Sequence, residues 1–309
     1  MALEIFAQTG DELGEGPVWS ENEQALYWLD ISRKQLHRRM LAGASARWDL
    51  PGRPGCVERL TGGDLVLTLD QGVHRFEIKT GATRLLCPVR LAAGVRFNEG
   101  KVDPSGRLWF GSMQDNFGPN DEAIPIERFA GTLFRLDRRG TVAAVEEKVG
   151  ISNTLAWSPD QTRLYFADSL ANRTFVYDYD AASGTVANKR LFFEAPDLGV
   201  PDGSAIDIDG CLWNARWGAG VVLRITPDGR IDRRIEIPAL QPSSCAFGGP
   251  GLDTLFVTSA RIGMTPEALA GTPLSGSVFA VTGVGQGVRV PPMLWDGNPL
   301  PEGEGQRMT

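Results

Sequence analysis

Residues 103–113 read DPSGRLWFGSM: a turn signal, then Leu-Trp-Phe, then small residues. Proline and glycine set the dihedrals that a tight turn needs, and the large apolar run that follows suits a buried strand. Alone, the phrase is half of a hairpin. It recurs, however, as SENEQALYWLD (20–30), LTGGDLVLTLD (60–70), SPDQTRLYFAD (158–168), DIDGCLWNARW (207–217) and GGPGLDTLFVTSA (248–260), making six copies. Their leucines, Leu26, Leu65, Leu108, Leu164, Leu212 and Leu255, are spaced by 39, 43, 56, 48 and 43 residues, about 46 on average. That is the period of a propeller blade. Each copy is followed by a second pair of strand-like runs around a turn, as in GTLFRLDRRGTVAAVE (131–146) and VVLRITPDGRIDRRIEI (221–237), which gives four strands per unit. A single all-β, six-bladed β-propeller domain over 1–309 is expected, the strand-like LEIFAQT (3–9) completing the last blade and 296–309 forming a polar tail. A β-sandwich would leave six copies of one phrase unexplained.

The 309 residues carry 31 Lys and Arg against 38 Asp and Glu, a formal charge of −7. No basic surface is available for phosphate backbones, so nucleic acid is excluded as a partner. No run approaches the roughly 20 apolar residues that span a bilayer, and MALEIFAQTGDELGEG lacks the basic and apolar regions of a leader. A cytoplasmic monomer without membrane contact is the expectation. Cys56, Cys87, Cys211 and Cys245 lie far apart and form no C-x-x-C pair, which points to buried thiols. His37 and His74 are the only histidines, and both sit in strand-like runs. Chemistry must therefore come from carboxylates, amides and arginines.

In a propeller the first strand of every blade lines the central channel. Counting back ten or eleven residues from the six leucines finds Glu15, Asn98, Asn153, Asp202 and Ser244, with Pro54 and Gly55 in the second copy. Two carboxylates and two carboxamides thus converge on the axis, and such oxygen donors suit a hard or borderline divalent cation. Without one, Glu15 and Asp202 would repel across a confined channel. Each residue has a plainer explanation alone. Asp202 lies in a common Pro-Asp-Gly turn, Glu15 in an ordinary loop, Asn153 in a segment suited to an Asx turn, and Arg96 reads as a surface cation. The shared offset across blades is what favours a site.

The segments LGEGPVW (13–19), RFNEGKVDPSGRLWFGSM (96–113), SNTLAWSPD (152–160), PDGSAIDIDGCLW (201–213) and CAFGGPGLDTLFVTSAR (245–261) resemble the SMP-30/gluconolactonase/LRE family of regucalcin-like sugar lactonases. The resemblance runs from about residue 12 to 281. It implies a six-bladed propeller with one divalent metal ion, which could be Ca, Zn, Mn, Mg or Fe(II), held by Glu15, Asn153 and Asp202. It also implies substrate binding by Arg96 and Asn98. Asp202, at the metal's edge, is the candidate catalytic base. Two departures stand out. NEGK replaces the family's more usual NDGK, giving Glu99 a longer arm, and residues 114–131 form an insertion whose Asp115 and Asn116 are candidate lid residues.

The expected activity is metal-dependent hydrolysis of a sugar-derived aldonolactone, the partner being a small sugar lactone of the glucono-, xylono- or arabinono- type. Alternatives are a calcium-binding regulatory role, as in vertebrate regucalcins, or a lactonase or esterase for non-sugar or substituted sugar lactones. A serine hydrolase is excluded, because no G-x-S-x-G elbow occurs. A partner-scaffolding propeller lacks the expected G-H and W-D punctuation.

Overall fold

In the computed structural model, which describes residues 1–297, the six phrases supply the second strand of six four-stranded antiparallel sheets. The first strands are Gly14–Ser20, Val57–Arg59, Val95–Val102, Ser152–Trp157, Val200–Ile206 and Gln241–Gly248. Each packs against the next, and the last against the first, so they close a ring. The fold is a six-bladed β-propeller. Ala2–Ala7 pairs antiparallel with Val278–Thr282, so that the sixth sheet joins the two ends of the described chain. The N-terminal strand is thus Ala2–Ala7 rather than 3–9, since the chain leaves the sheet at Gln8 to reach Asp11, whose N–H bonds Gly276 O at 2.8 Å.

The repeating phrase has a packing reason. All six leucines are at most 1 % exposed, and burying each stabilises the fold by about 1.5–3 kcal/mol. Their neighbours form six apolar clusters, each filling the gap between two adjacent blades. The turn residues are equally specified. Asp103 Oδ1 accepts the N–H groups of Ser105 and Arg107, and its Oδ2 accepts Trp109 Nε1 at 3.0 Å. Asp207 does the same for Asp209, Cys211 and Trp213. One buried carboxylate thereby closes the turn and satisfies the indole six residues on.

Two segments depart from strand-and-turn. A six-residue helix, Pro266–Gly271, interrupts the sixth blade, begun by Thr265 Oγ1 accepting Ala268 N and by proline in its first turn. No helix among the described residues is long and apolar enough to cross a membrane. After the last strand, the chain crosses the face where the inner strands end: Ile208 N bonds Gln286 O, Val288 N bonds Ile206 O, Met293 N bonds Arg59 O and Leu294 N bonds Gly106 O. Of the expected polar tail, Asp296 bonds the Arg138 carbonyl, and 298–309 lie outside the described residues. All four cysteines are free and buried, and His37 and His74 lie in strands.

Candidate functional site

Glu15, Asn98, Asn153 and Asp202 all lie near the start of an inner strand, and all are 5–8 % exposed except Glu15, which is half-buried at residue level. Register breaks there in every case: between Glu15 and Val18, Asn98 and Gly100, Asn153 and Leu155, and Pro201 and Ser204. A bulge leaves a residue unpaired and turns its neighbour's side chain, which is how a strand can aim a side chain along the channel. Thr154 follows Asn153 at φ 45°, a costly conformation for a β-branched residue. Its hydroxyl is held by the Asp202 carbonyl, by Ser204 Oγ at 2.8 Å and by Asn214 Nδ2 at 3.3 Å. The second blade contributes no donor. Its inner strand is short, and a Cβ on Gly55 would stand 2.5 Å from Phe97 Cβ, so no larger residue fits.

The amides and arginine form one chain of bonds. Arg96 Nη1 donates to Asn98 Oδ1 at 2.9 Å and to Phe97 O; Asn98 Nδ2 donates to Ser152 O at 2.9 Å and to Asn153 Oδ1 at 3.2 Å. Asn153 Nδ2 in turn donates to Ser169 Oγ at 2.8 Å, which leaves Asn153 Oδ1 turned toward Asn98. Arg96 Nε is taken by Asn116 Oδ1 at 2.8 Å. Arg96 Nη2 makes no hydrogen bond to the described residues.

Electrostatically the site crowds three buried acidic groups together. Burial raises Glu15 to about 8, with Glu99 adding repulsion. Asp202 is raised well above the usual carboxylate range by burial, then by Glu15 and Glu99. Glu99 is raised to about 7, again chiefly by burial, against the opposing pull of Lys101. Both Glu99 oxygens are buried and unpartnered. Glu99 reaches the residue after Asp202, since a Cβ on Gly203 would lie 2.0 Å from Ser244 Oγ and 2.9 Å from Glu99 Oε2. The extra methylene of NEGK therefore brings a third carboxylate up beside Asp202.

No three His, Cys, Asp or Glu side chains among the described residues form a metal-holding group. An oxygen site here has to recruit the Asn153 amide alongside Glu15 and Asp202. That donor set, with Glu99 raising Glu15, both of them raising Asp202, and two orphaned carboxylate oxygens nearby, fits a divalent cation.

The insertion folds over Arg96. Phe117 lies 3.6 Å below the Arg53 guanidinium and 5.5 Å from that of Arg96. Asp121 is bound by Arg53 and lies 3.7 Å from Lys34 Nζ. Asp115 accepts Phe117 N at 3.2 Å and is the acid that most favours the charged form of Arg96, so Asp115, Asn116 and Phe117 all act on that guanidinium.

Several functional neighbours escaped the sequence reading. Asp168 accepts Gly150 N at 2.9 Å and Ile151 N at 3.0 Å, fixing the loop that leads to Asn153. Asp30 does likewise for Glu12 and Leu13 ahead of Glu15, and Asp70 for Arg53. Arg216, 1 % exposed, ties the carbonyls of Ala195, Leu198 and Gly199 into the approach to Asp202. The signal for the aspartates was present, because three copies of the phrase end in Leu-Asp or Ala-Asp. Arg216 had no such signal.

Comparison with known proteins gives a consistent result. The family described as SMP-30/Gluconolactonase/LRE-like region matches residues 13–261. The chain is 38 % identical over 280 residues to L-arabinolactonase of Azospirillum brasilense, covering 89 % of this chain and 90 % of that one. It is also 38 % identical over 282 residues to 6-deoxy-6-sulfogluconolactonase of Pseudomonas putida, covering 90 % and 94 %. A crystal structure of the calcium-binding protein regucalcin from Agrobacterium tumefaciens superposes with a TM-score of 0.88 at 30 % identity, over 95 % of this chain and 97 % of that one. This chain belongs to the SMP-30/gluconolactonase/LRE-like family.

Proposed function

We propose that the protein hydrolyses a sugar-derived aldonolactone to its aldonic acid, with a divalent cation held by Glu15, Asn153 and Asp202. The observation that carries this is the convergence of those three oxygen donors with Arg96 and Asn98 at one end of the channel. Relatives at 38 % identity that act on arabinolactone and sulfogluconolactone support the substrate class.

In the reaction a water oxygen bonds to the lactone carbonyl carbon, the ring C–O bond breaks, and the ring oxygen leaves as the new hydroxyl of the open acid. When bound, the cation would polarise the carbonyl, acidify water and keep Asp202 ionised. Asp202 accepts the attacking water's proton and returns it to the departing ring oxygen. Its backbone is held still for this by Thr154 Oγ1 and by Asn214 Nδ2, which donate to its carbonyl. Arg96 Nη2 is free to donate to a ring hydroxyl or the acyl oxygen, while Nε and Nη1 fix the guanidinium plane. The lid residues Asn116 and Phe117 bound the space above it and exclude water.

The test is proton release near neutral pH from freshly prepared arabinono-, xylono- and gluconolactone, using chelator-stripped protein reloaded with single divalent metals and corrected for spontaneous opening. Metal-restored hydrolysis that Asp202→Asn reduces at least about 100-fold, with the fold intact, is expected. Wild-type turnover in Asp202→Asn would overturn the role of Asp202. Stoichiometric metal binding without hydrolysis of any sugar lactone would favour a calcium-binding role instead.

A further inference from the structure

The insertion between the second and third strands of the third blade is folded by its own bonds at the base and held from outside at its tip. Gln114 pins the returning limb: its Nε2 donates to Pro125 O at 3.0 Å, and its Oε1 accepts the N–H groups of Glu127 and Arg128. Beyond it the chain makes a small hairpin, in which Phe117 bridges Ala123, Ile124 N bonds Asn116 O at 2.9 Å and Gly118 N bonds Glu122 O at 2.8 Å. Asp121 sits at the tip with φ 62°, a left-handed conformation that aspartate tolerates better than most side chains. Among the described residues, Asp121 is the one residue of 118–122 that bonds the rest of the propeller, and it does so through Arg53 and Lys34.

Arg53 is placed independently of the insertion. It lies on the segment leading from the first blade to the second, where its N–H bonds Asp70 at 3.3 Å and its Nη1 reaches the carbonyls of Ile31 and Ser32 at 3.3 and 3.5 Å. Its side chain is 10 % exposed against 54 % for Asp121, so the arginine is the fixed partner and the carboxylate comes to it. The same guanidinium lies 3.6 Å from the centre of the Phe117 ring, well within cation–π reach, and Phe117 joins the apolar cluster of the first and second blades. On the other side the ring stands 5.5 Å from the Arg96 guanidinium, whose Nε is taken by Asn116. The insertion thus sets acid, ring and acid against two like charges: Asp115 favours the charged form of Arg96, Asp121 binds Arg53, and Phe117 contacts both arginines. Without Asp121, the repulsion between Arg53 and Arg96 would be offset by one acid fewer.

We propose that Arg53 is a positioning residue for lactone binding: with Asp121 it latches the hairpin over Arg96, and through Phe117 and Asn116 it fixes the direction in which Arg96 Nη2 meets the substrate. This rests on the lactonase function proposed for the site. One partner of the latch is an exposed carboxylate, so the hairpin is free to lift as a lactone enters and as the acid leaves, and the nearly buried arginine gives it one place to return to. The latch governs how firmly the lactone is held rather than the attack of water. Arg53 bonds Ile31, Ser32 and Asp121, and among the described residues it makes no hydrogen bond to Glu15, Asn153 or Asp202.

The experiment compares full-length, metal-loaded wild type with Asp121→Asn, Asp121→Glu and Arg53→Gln on the sugar lactone that wild type hydrolyses fastest. Asp121→Asn and Arg53→Gln should each raise KM about threefold to tenfold with kcat kept within about twofold. The double variant should be no worse than the poorer single one, because both remove one latch. Asp121→Glu keeps the charge and should restore most of the affinity. Salt at about 0.5 M should raise the wild-type KM and leave that of Asp121→Asn nearly unchanged, since screening acts where the pair exists. A second readout needs no substrate. Chymotryptic cleavage after Phe117, 8 % exposed, followed by mass spectrometry against cleavage after Phe129, 51 % exposed, should rise about threefold or more in Asp121→Asn. An unchanged thermal unfolding midpoint in Asp121→Asn guards against a folding defect in Arg53→Gln. Either an unchanged KM or an unchanged cleavage ratio in Asp121→Asn would overturn the proposal, as would a loss confined to kcat or an equal rise in KM in Asp121→Glu. If wild type hydrolyses no sugar lactone, the lactonase function itself fails, and the cleavage ratio alone decides whether Arg53 and Asp121 latch the hairpin.

Discussion

Asp168→Ala tests whether the site is held by the aspartate that ends the blade phrase. The carboxylate is 7 % exposed and accepts four backbone N–H groups: Gly150 at 2.9 Å, Ile151 at 3.0 Å, Leu170 at 3.1 Å and Ala171 at 3.3 Å. The bond from Gly150 is buried and the other three are part-buried; Gly150 and Ile151 lead directly into the inner strand that begins at Ser152. Leu170 and Ala171 sit in a turn where water can replace the carboxylate. Orphaning two donors at about 1–3 kcal/mol each gives a loss of about 2–6 kcal/mol. The middle of that range lies below the usual total stability of about 5–15 kcal/mol, so the variant is expected to fold. The released loop carries Asn153, so cation affinity should fall about 10–100-fold, as it does when groups that orient metal ligands are removed. Urea unfolding and calorimetric metal titration measure the two effects. Asp207→Ala is the control. It also removes a buried turn aspartate, but on the opposite face, so it should cost stability and spare cation affinity. Equal cation affinity in wild type and Asp168→Ala, or an equal loss in both variants, would refute the positioning argument.

The metal-free protein should become less stable as pH rises. Glu15 and Glu99 titrate at about 8 and about 7 when folded, above the ordinary 4.5, so the folded state holds their protons more tightly. That stabilisation is complete below about pH 4.5 and is lost as pH climbs through 7 to 8; thermal unfolding of wild type against Glu99→Gln should show a shallower fall in the variant, and identical slopes would contradict it. Added divalent cation should restore more stability at pH 8 than at pH 5, because it favours the ionised carboxylates. For the lid, Phe117→Ala removes the ring between Arg53 and Arg96 and should raise KM about 5–10-fold with kcat largely kept; a loss confined to kcat would place Phe117 in the chemistry instead.

The blade count was legible because the six leucines answer to one constraint, complete burial between sheets, and that constraint tolerates little substitution. The channel-facing positions were legible for a related reason: a fixed offset from a buried leucine is a fixed place on the ring. Asp168 and Asp30 were harder to read, since an aspartate ending a strand looks the same whether it is solvated or binds four amides. Arg216 was invisible, as its partners are backbone carbonyls of a loop some twenty residues away, and carbonyls have no sequence signature. The sixth-blade helix was missed because its six residues are too short to show a helical period.

A regular propeller would carry inner strands in register throughout, yet at Glu15, Asn98, Asn153, Asp202 and beside Ser244 the pairing breaks. The second blade, which supplies no donor, has no such break in its inner pair. The sixth blade breaks beside Ser244 without supplying an assigned ligand, so the break marks the channel end of five inner strands, and four of those five place a site residue at it. Each break costs ladder hydrogen bonds, and Thr154 adds backbone strain of order 1–3 kcal/mol. Its surroundings hold it nonetheless, through the Asp202 carbonyl, Ser204 and Asn214 of the neighbouring blade. The strained residue after Asn153 thus bonds the backbone of Asp202, and two donors from different blades are fixed relative to each other by one hydroxyl. Thr154→Ser would keep that hydroxyl and remove the β-branch that disfavours φ 45°, whereas Thr154→Val would keep the branch and lose the link. If the linkage matters more than the strain, Thr154→Ser retains cation affinity and Thr154→Val loses it; the opposite order would mean that the branched side chain's packing, rather than its hydrogen bonds, sets the spacing between the two blades.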